Sequence, residues 1–264
     1  MEFFENLISY FTDKGISREL AITYLVVSAL IILMAVIVII MRIYLMVAYH
    51  DGNTQKTKSG KTSSQVAREA LDKAGLSHIK VEKANFFRAF IFGNCYSITK
   101  KTIFLRKGIY EKDSITAVAM ALQKVGVAKL CERGDIKTRT RNIMQILSLF
   151  GPLLFVPVAL LGCIIDLVLF HMFGAFSIVG IAIGFVLVFS GLIATLLNLP
   201  VEKQANNMAL EMIKETGVLN EEEIVIVKKV FKAYIVSYIC EFIVAVLRIV
   251  QIILEIVMNS QIKK

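Results

Sequence analysis

The chain has 264 residues, of which 56% are hydrophobic, and its mean hydropathy is +0.69. These values exclude an ordinary soluble domain. The net charge is +9, and 19 Lys and Arg stand against 8 Asp and Glu between Ala48 and Met144. Because basic residues near membrane spans mark the cytoplasmic side, this charge indicates topology. Nucleic-acid binding is not expected, since no recognisable nucleic-acid module is present.

Several apolar runs are long enough to cross a bilayer, which takes about 20 residues. They are Ala21–Met41, Ile143–Phe170 (interrupted by Asp166), Ala175–Leu197 and Ala233–Met258. The first run is too long for the apolar part of a cleavable signal peptide, so we expect it to remain as an anchor. The sequence therefore predicts a mainly α, multi-pass membrane protein with three or four spans.

The last run carries charged side chains at a regular interval. A polar residue recurs every seven positions: Tyr234, Glu241, Arg248 and Glu255. At this spacing the four side chains lie on one face of a helix. Charges within a span normally face the helix bundle, and Arg248 could pair with Glu241, Glu255 or Asp166. An amphipathic helix lying in the interface fits the same pattern. Residues 1–14 leave a similar choice between an interfacial helix and a continuation into the first span.

Between the first two runs the pattern predicts a small α+β domain. Thr62 and Gln65 have the spacing of a capping box that opens a helix. Short runs of strand character follow, and two of them read as a β-hairpin. The strands are expected at Ile79–Lys83, Cys95–Ile98 and Thr102–Leu105, and the aromatic stretch Phe86–Phe92 either dips into the membrane interface or forms an edge of this domain.

The stretch Asp113–Cys131 predicts a helix with one buried face. Asp113 or Ser114 can cap it, and apolar residues recur within it at three- and four-residue spacing. Near its end, the spacing of the H-E-x-x-H motif falls on Gln123-Lys124-Val125-Gly126-Val127. All three functional residues of the motif are replaced there. In the intact motif two histidines hold zinc from one helical face and the glutamate acts on the metal-bound water.

Five pieces of the sequence, in the same order and between matching spans, resemble one family: the bacterial membrane-bound neutral zinc metallopeptidases, the YugP-like proteins. The likeness runs from about Ser59 to Ile253. Its pieces are Thr62–Leu76 (family G-x-x-x-A-x-x-x-L-x-x-x-G-L), Asn94–Tyr110 (D-H-Y-D-P, then K-x-L-x-L-S-x-x-V-Y), Ser114–Ala128 (S-x-x-A-x-x-x-A-x-H-E-x-G-H-A), Leu199–Ala205 (L-P-V-E-F-x-A) and the acidic run Glu221–Glu223 with the hydrophobic helix after it.

The resemblance implies a zincin-like metallopeptidase domain on the cytoplasmic side of the cell membrane. It divides the chain into an N-terminal interfacial segment and first transmembrane helix (1–47), a metallopeptidase-like domain (48–142), a transmembrane hairpin (143–198), cytoplasmic helices with the third-ligand motif (199–232), and a C-terminal membrane helix and tail (233–264).

The resemblance also places the family's zinc ligands and general base on particular residues. The ligand positions are Gln123, Val127 and Glu202, and the general-base position is Lys124. Only Glu202 is ligand-competent, and a lysine cannot take a proton from water as a carboxylate does. Zinc, expected in intact members, is therefore not expected here. Lys124 and Glu202 could instead pair across the vacated site, with solvent exposure of both as the alternative.

The sequence thus predicts an inactive metallopeptidase relative with a remaining role in binding or scaffolding at the bilayer. Its partner would be a membrane protein or a peptide, with no small-molecule cofactor. Two alternatives remain open: a hydrolase acting through an unrecognised site, and a channel or transporter component using Asp166, Glu241, Arg248 and Glu255 as a polar path.

Overall fold

The computed structural model describes residues 2–171 and 174–262. Nine helices and three strands lie in these ranges. In chain order they are α1 (Glu2–Thr12), α2 (Arg18–Thr54), α3 (Ser63–Lys73), β1 (Lys80–Lys83), α4 (Phe86–Phe92), β2 (Cys95–Ser97), β3 (Thr102–Leu105), α5 (Lys107–Tyr110), α6 (Ile115–Glu132), α7 (Ile136–Phe170), α8 (Ala175–Thr216) and α9 (Glu221–Ile262).

Side-chain caps define where several of these helices begin. The Ser114 hydroxyl accepts from the Ala117 amide at 3.3 Å and starts α6. Thr62 and Gln65 form the reciprocal capping box at the start of α3. Asn220 and Glu223 exchange two such bonds before α9, at 2.7 and 2.8 Å. The predicted helix starts at residues 62 and 114 are confirmed.

The three strands form one small sheet in the order β1-β3-β2. β1 pairs with β3 in parallel, with Val81 opposite Ile103. β2 pairs with β3 antiparallel, which confirms the predicted hairpin. The middle strand β3 is buried along its whole length, so it supplies the sheet's share of the core.

Helix α6 is the centre of the hydrophobic core, with almost every residue from Ile115 to Cys131 buried. It packs against α3, α5, α7, α8 and the hairpin. Gly126 permits the contact with α8, because a Cβ at this position would lie 2.8 Å from the Ala205 carbonyl oxygen. This close approach brings the motif-bearing turn of α6 against the Glu202 turn of α8.

Helix α8 continues through Pro200 without a break, although the sequence favoured a boundary between the membrane hairpin (143–198) and the cytoplasmic helices (199–232). A proline inside a helix removes one backbone hydrogen bond and costs about 3 kcal/mol. Val201, Glu202 and Ala205, which follow it, are fully buried. Packing of this face outweighs the local cost, since tertiary contacts supply most helical stability in proteins.

Two helices among the described residues, α2 and α8, are long and apolar enough to cross a membrane. Asp166, near the end of α7, accepts from the backbone amides of Gly174 and Ser177 at 2.9 and 2.6 Å. The carboxylate therefore caps the start of α8 and satisfies amides that a helix leaves unpaired at its N-terminus.

Helices α1, α2 up to Tyr44 and α9 from Val236 form one compact unit, and residues 45–235 form the other. Within the first unit α9 lies antiparallel to α2. The contacts are Ser17 to Gln261 at 3.0 Å, Tyr24 to Glu255 at 3.2 Å and Arg42 to Glu241 at 3.7 Å.

The partners expected for Arg248 were wrong. Its guanidinium donates to Gln251 at 3.0 Å, while the two acids on its face are held by α2. Asp166 is engaged at the start of α8. The seven-residue face of α9 is therefore turned toward α2.

Candidate functional site

The Glu202 carboxylate is the centre of a buried polar cluster between α6, α7 and α8. It is completely buried, and Gln123 and Lys124 from α6 both reach it. The Lys124 ammonium lies 3.7 Å from Glu202 Oε1, and the Gln123 amide nitrogen donates to Glu202 Oε2. The pairing of Lys124 with Glu202 that the sequence left open is thus present, and neither side chain is solvated as the alternative required.

Arg141 is a member of this cluster that sequence reasoning missed. Its guanidinium donates to Glu202 Oε1. Its Nε atom also donates to Asn198 Oδ1, the side-chain amide oxygen, at 3.0 Å. The Arg141 side chain is only 7% exposed. In the sequence, Arg141 is one of the basic residues between Ala48 and Met144 that indicate topology. The available signal was its position two residues before Ile143, where an apolar run begins.

The Gln123 amide has one orientation that the chemistry allows. An ionised carboxylate only accepts hydrogen bonds, so the NH2 group must face Glu202. The same nitrogen donates to Asn206 Oδ1 at 3.0 Å. Within the described residues, Gln123 Oε1 and Asn206 Nδ2 are buried without a hydrogen-bond partner. Gln123 therefore presents a donor where the family's ligand presents a lone pair.

These residues do not fit a zinc ion. A catalytic zinc needs three protein ligands and an open fourth position. Val127 is 1% exposed and belongs to the hydrophobic core, and Gln123 turns its donors toward Glu202. Two cations already occupy the surroundings of Glu202 Oε1. Over the described ranges, no group of three or more His, Cys, Asp or Glu side chains is arranged to hold a metal.

The cluster holds two cationic side chains and one carboxylate. Burial, the largest effect, lowers the pKa of Lys124 from its ordinary value of 10.5, and the Arg141 charge lowers it further against the attraction of Glu202. Burial would raise the pKa of Glu202, but the Lys124 and Arg141 charges outweigh it and the net direction is downward. An arginine does not lose its proton in proteins. Arg141 and Glu202 therefore form the permanent ion pair, and Lys124 carries the surplus charge.

Replacing Lys124 by methionine should leave the protein as stable at neutral pH or stabilise it by about 1 kcal/mol, because a surplus buried cation is removed. The natural protein should become more stable as pH rises from the lowered folded-state pKa of Lys124 toward 10.5. In this window the unfolded chain binds the proton that the folded chain has lost, and below it the cost is constant.

Unfolding midpoints in detergent from about pH 7 to about pH 10 measure this effect. The Lys124→Met variant should lack the rise that the natural protein shows. Lys129→Met, on the same helix and less buried, is the matched control and should retain the rise. Equal pH profiles for the natural protein and Lys124→Met would contradict the assignment of the surplus charge.

A second polar group lies at the far end of α6, around Glu132. The Tyr96 hydroxyl donates to Glu132 at 2.7 Å and the Lys101 ammonium does so at 2.6 Å. Burial is the largest of several effects that raise the pKa of Tyr96. This contact ties the hairpin to α6. It gives Tyr96, in the segment Asn94–Ile98 where the family's D-H-Y-D-P would stand, a structural role.

Comparison with known proteins identifies the family of this chain. A family model described as "Putative neutral zinc metallopeptidase" matches residues 27–257. Because the match covers most of the 264 residues, the chain belongs to this family. The resemblance drawn from the motifs is confirmed at the level of the family.

One curated relative is the "Putative membrane protease YugP" of Bacillus subtilis (strain 168). It is 26% identical over 203 residues, which are 75% of this chain and 82% of the relative. No solved structure matches the chain.

Proposed function

We propose that this protein is a catalytically inactive member of the zinc metallopeptidase family, in which an ion cluster replaces the metal centre. Its remaining role is to bind or scaffold a membrane protein or peptide at the bilayer. The proposal rests on one observation. Lys124, Arg141 and Gln123 all bind the Glu202 carboxylate. The one ligand-competent carboxylate is thus committed to protein partners.

The cluster offers a physical reason for the loss of metal. A zinc ion beside a ligand carboxylate supplies two positive charges, and here Lys124 and Arg141 supply positive charge at the same oxygen. A carboxylate buried without a cation would be strongly unfavourable. The substitution therefore supports a scaffold that keeps α6 and α8 together without metal.

We also propose four spans, α2, α7, α8 and α9, with residues 48–142 on the cytoplasmic side. The antiparallel contacts between α2 and α9 favour a spanning α9 over an interfacial one, because Tyr24 and Arg42 lie within and just after the apolar run of α2. This arrangement puts Gln261 near Ser17, on the outer side. The basic residues between Ala48 and Met144 then fall inside, as the positive-inside tendency requires.

The structure gives the channel alternative no support. Its four polar residues each have a local partner: Asp166 caps α8, Glu241 pairs with Arg42, Arg248 donates to Gln251 and Glu255 accepts from Tyr24. The contacts of Asp166, Glu241 and Glu255 tie helices to one another, and that of Arg248 lies within α9. The hydrolase alternative likewise has no catalytic arrangement in its favour within the described residues.

The proposal predicts that the purified protein contains far less than one zinc per chain, about 0.1 or below, after expression with added zinc. Its unfolding midpoint should not move when a chelator is added, and it should not hydrolyse a general protease substrate such as casein. Elemental analysis, thermal unfolding and a fluorogenic casein assay measure these three quantities. About one zinc per chain, or casein hydrolysis that the chelator abolishes, would overturn the proposal.

A further inference from the structure

Helix α4 presents a cluster of aromatic side chains to the outside of the folded unit. Phe86, Phe87 and Phe90 are 81%, 75% and 79% exposed. The Phe86 and Phe90 rings stack with centroids 6.4 Å apart, and Phe87 meets Phe86 edge-on at 6.1 Å. The helix has no buried residue. We refer to these three phenylalanines as the aromatic patch.

The patch is held outward by a well-anchored helix. Asn85 caps it by accepting from the Arg88 amide at 2.8 Å, and the Arg88 guanidinium lies 3.9 Å from the centroid of the buried Phe104 ring. Arg106 donates through Nε to the Ala89 carbonyl at 3.1 Å, and its backbone amide donates to Asn94 at 2.8 Å. These contacts of Asn85, Arg88 and Arg106 hold α4 in place while its three phenylalanine rings stay exposed.

The patch lies near the ends of the apolar parts of α7 and α8, which belong to the same compact unit. Cys95, which follows α4, is within electrostatic range of Arg88, Lys124 and Arg141. Arg141 directly precedes the apolar part of α7, and its partner Asn198 directly follows the apolar part of α8. The apolar parts of α7 and α8 therefore begin and end near the patch.

We infer that the aromatic patch inserts into the headgroup region of the lipid bilayer and docks residues 45–142 against the membrane surface. Phenylalanines on an exposed face are typical of interfacial helices, and the bilayer removes their surface from water. Arg88 and Arg106 beside the patch lack a carboxylate partner in the part of the chain that the structure describes. Their charge matches anionic headgroups. The inference rests on the proposed function only in that the chain spans the bilayer.

The chain contains no tryptophan, so one introduced indole reports on one position. Phe90→Trp conserves the aromatic character of the patch. The full-length variant is reconstituted into vesicles of phosphatidylcholine and phosphatidylglycerol, with and without bromine on the acyl chains. Bromine quenches only indoles at membrane depth. Lys73→Trp, exposed on α3, is the control outside the bilayer, and Ile32→Trp, exposed within the apolar run of α2, is the control inside it.

We expect Phe90→Trp to be quenched roughly twofold or more over Lys73→Trp, with emission shifted to the blue. Equal weak quenching of these two variants, while Ile32→Trp is quenched, would overturn the inference and leave the spanning proposal intact. A blue-shifted but unquenched Phe90→Trp would mean that protein covers the patch, which also overturns it. Weak quenching of Ile32→Trp would instead contradict the spanning of α2.

Discussion

Replacing Glu202 by glutamine is expected to destabilise the protein by about 3–5 kcal/mol, because it leaves Arg141 buried without its counter-charge. Glu202 is completely buried and has partners on α6 and α7, so no exposed rearrangement is available to its cations. Lys124 can respond by losing its proton, whereas Arg141 cannot. The expected fall in the unfolding temperature is on the order of 10 °C.

The measurement is thermal unfolding of the detergent-purified full chain at neutral pH. Glu211→Gln is the matched control, since Glu211 is an exposed glutamate on the same helix. Its effect should stay within about 0.5 kcal/mol, as for most surface substitutions. If Glu202→Gln unfolds at the same temperature as Glu211→Gln, the ion cluster does not hold α6 and α8 together.

Local signals in the sequence predicted much of the fold around residues 48–142. Ser114 and the pair Thr62 and Gln65 are caps whose chemistry acts over three residues, so their effect does not depend on the rest of the chain. The β-hairpin is also local, with Cys95–Ser97 folding back on Thr102–Leu105. The aromatic stretch was harder to predict, because its residues favour strands, while the Asn85 cap that starts α4 is a single local signal.

The polar site was only partly predictable from the sequence. The two matched motifs indicated that Lys124 and Glu202 face one site, but they left pairing and solvent exposure open, and the structure shows the pairing. Arg141 lies outside both motifs and 61 residues from Glu202, so its contact depends on how α7 leaves α6. The donor orientation of Gln123 likewise depends on a completed cluster, because only an ionised, buried Glu202 requires it. Long-range packing thus determines the chemistry of this site.

The unpredicted Arg141 changes how a metal site should be rebuilt. The substitutions Gln123→His, Lys124→Glu and Val127→His restore the family's H-E-x-x-H motif. They supply two imidazoles and a general base beside Glu202. Arg141 still donates to Glu202 Oε1 and carries a positive charge at that ligand oxygen. At an effective dielectric of about 20, a cation a few ångströms from zinc is repelled by several kcal/mol. The threefold variant should therefore bind zinc weakly.

Adding Arg141→Gln to the threefold variant is expected to give about one zinc per chain, bound roughly tenfold or more tightly than in the threefold variant. Glutamine keeps a donor for Asn198 and removes the charge. Zinc titration of the full-length proteins, with elemental analysis after dialysis, compares the two. Arg139→Gln in place of Arg141→Gln is the matched control, because the Arg139 side chain donates to the Cys131 carbonyl and not to Glu202.

Equal zinc affinity with Arg139→Gln and with Arg141→Gln would show that the Arg141 charge does not oppose the metal. A folded fourfold variant without zinc would show that α6 and α8 no longer present Glu202 to residues 123 and 127. The close packing of Gly126 on Ala205, where an added Cβ would lie 2.8 Å from the Ala205 carbonyl oxygen, argues against that outcome, because it keeps the two helix turns in contact whichever side chains residues 123, 124 and 127 carry. On the proposed function, the charge gathered around Glu202 should oppose a metal even after the missing ligands are restored.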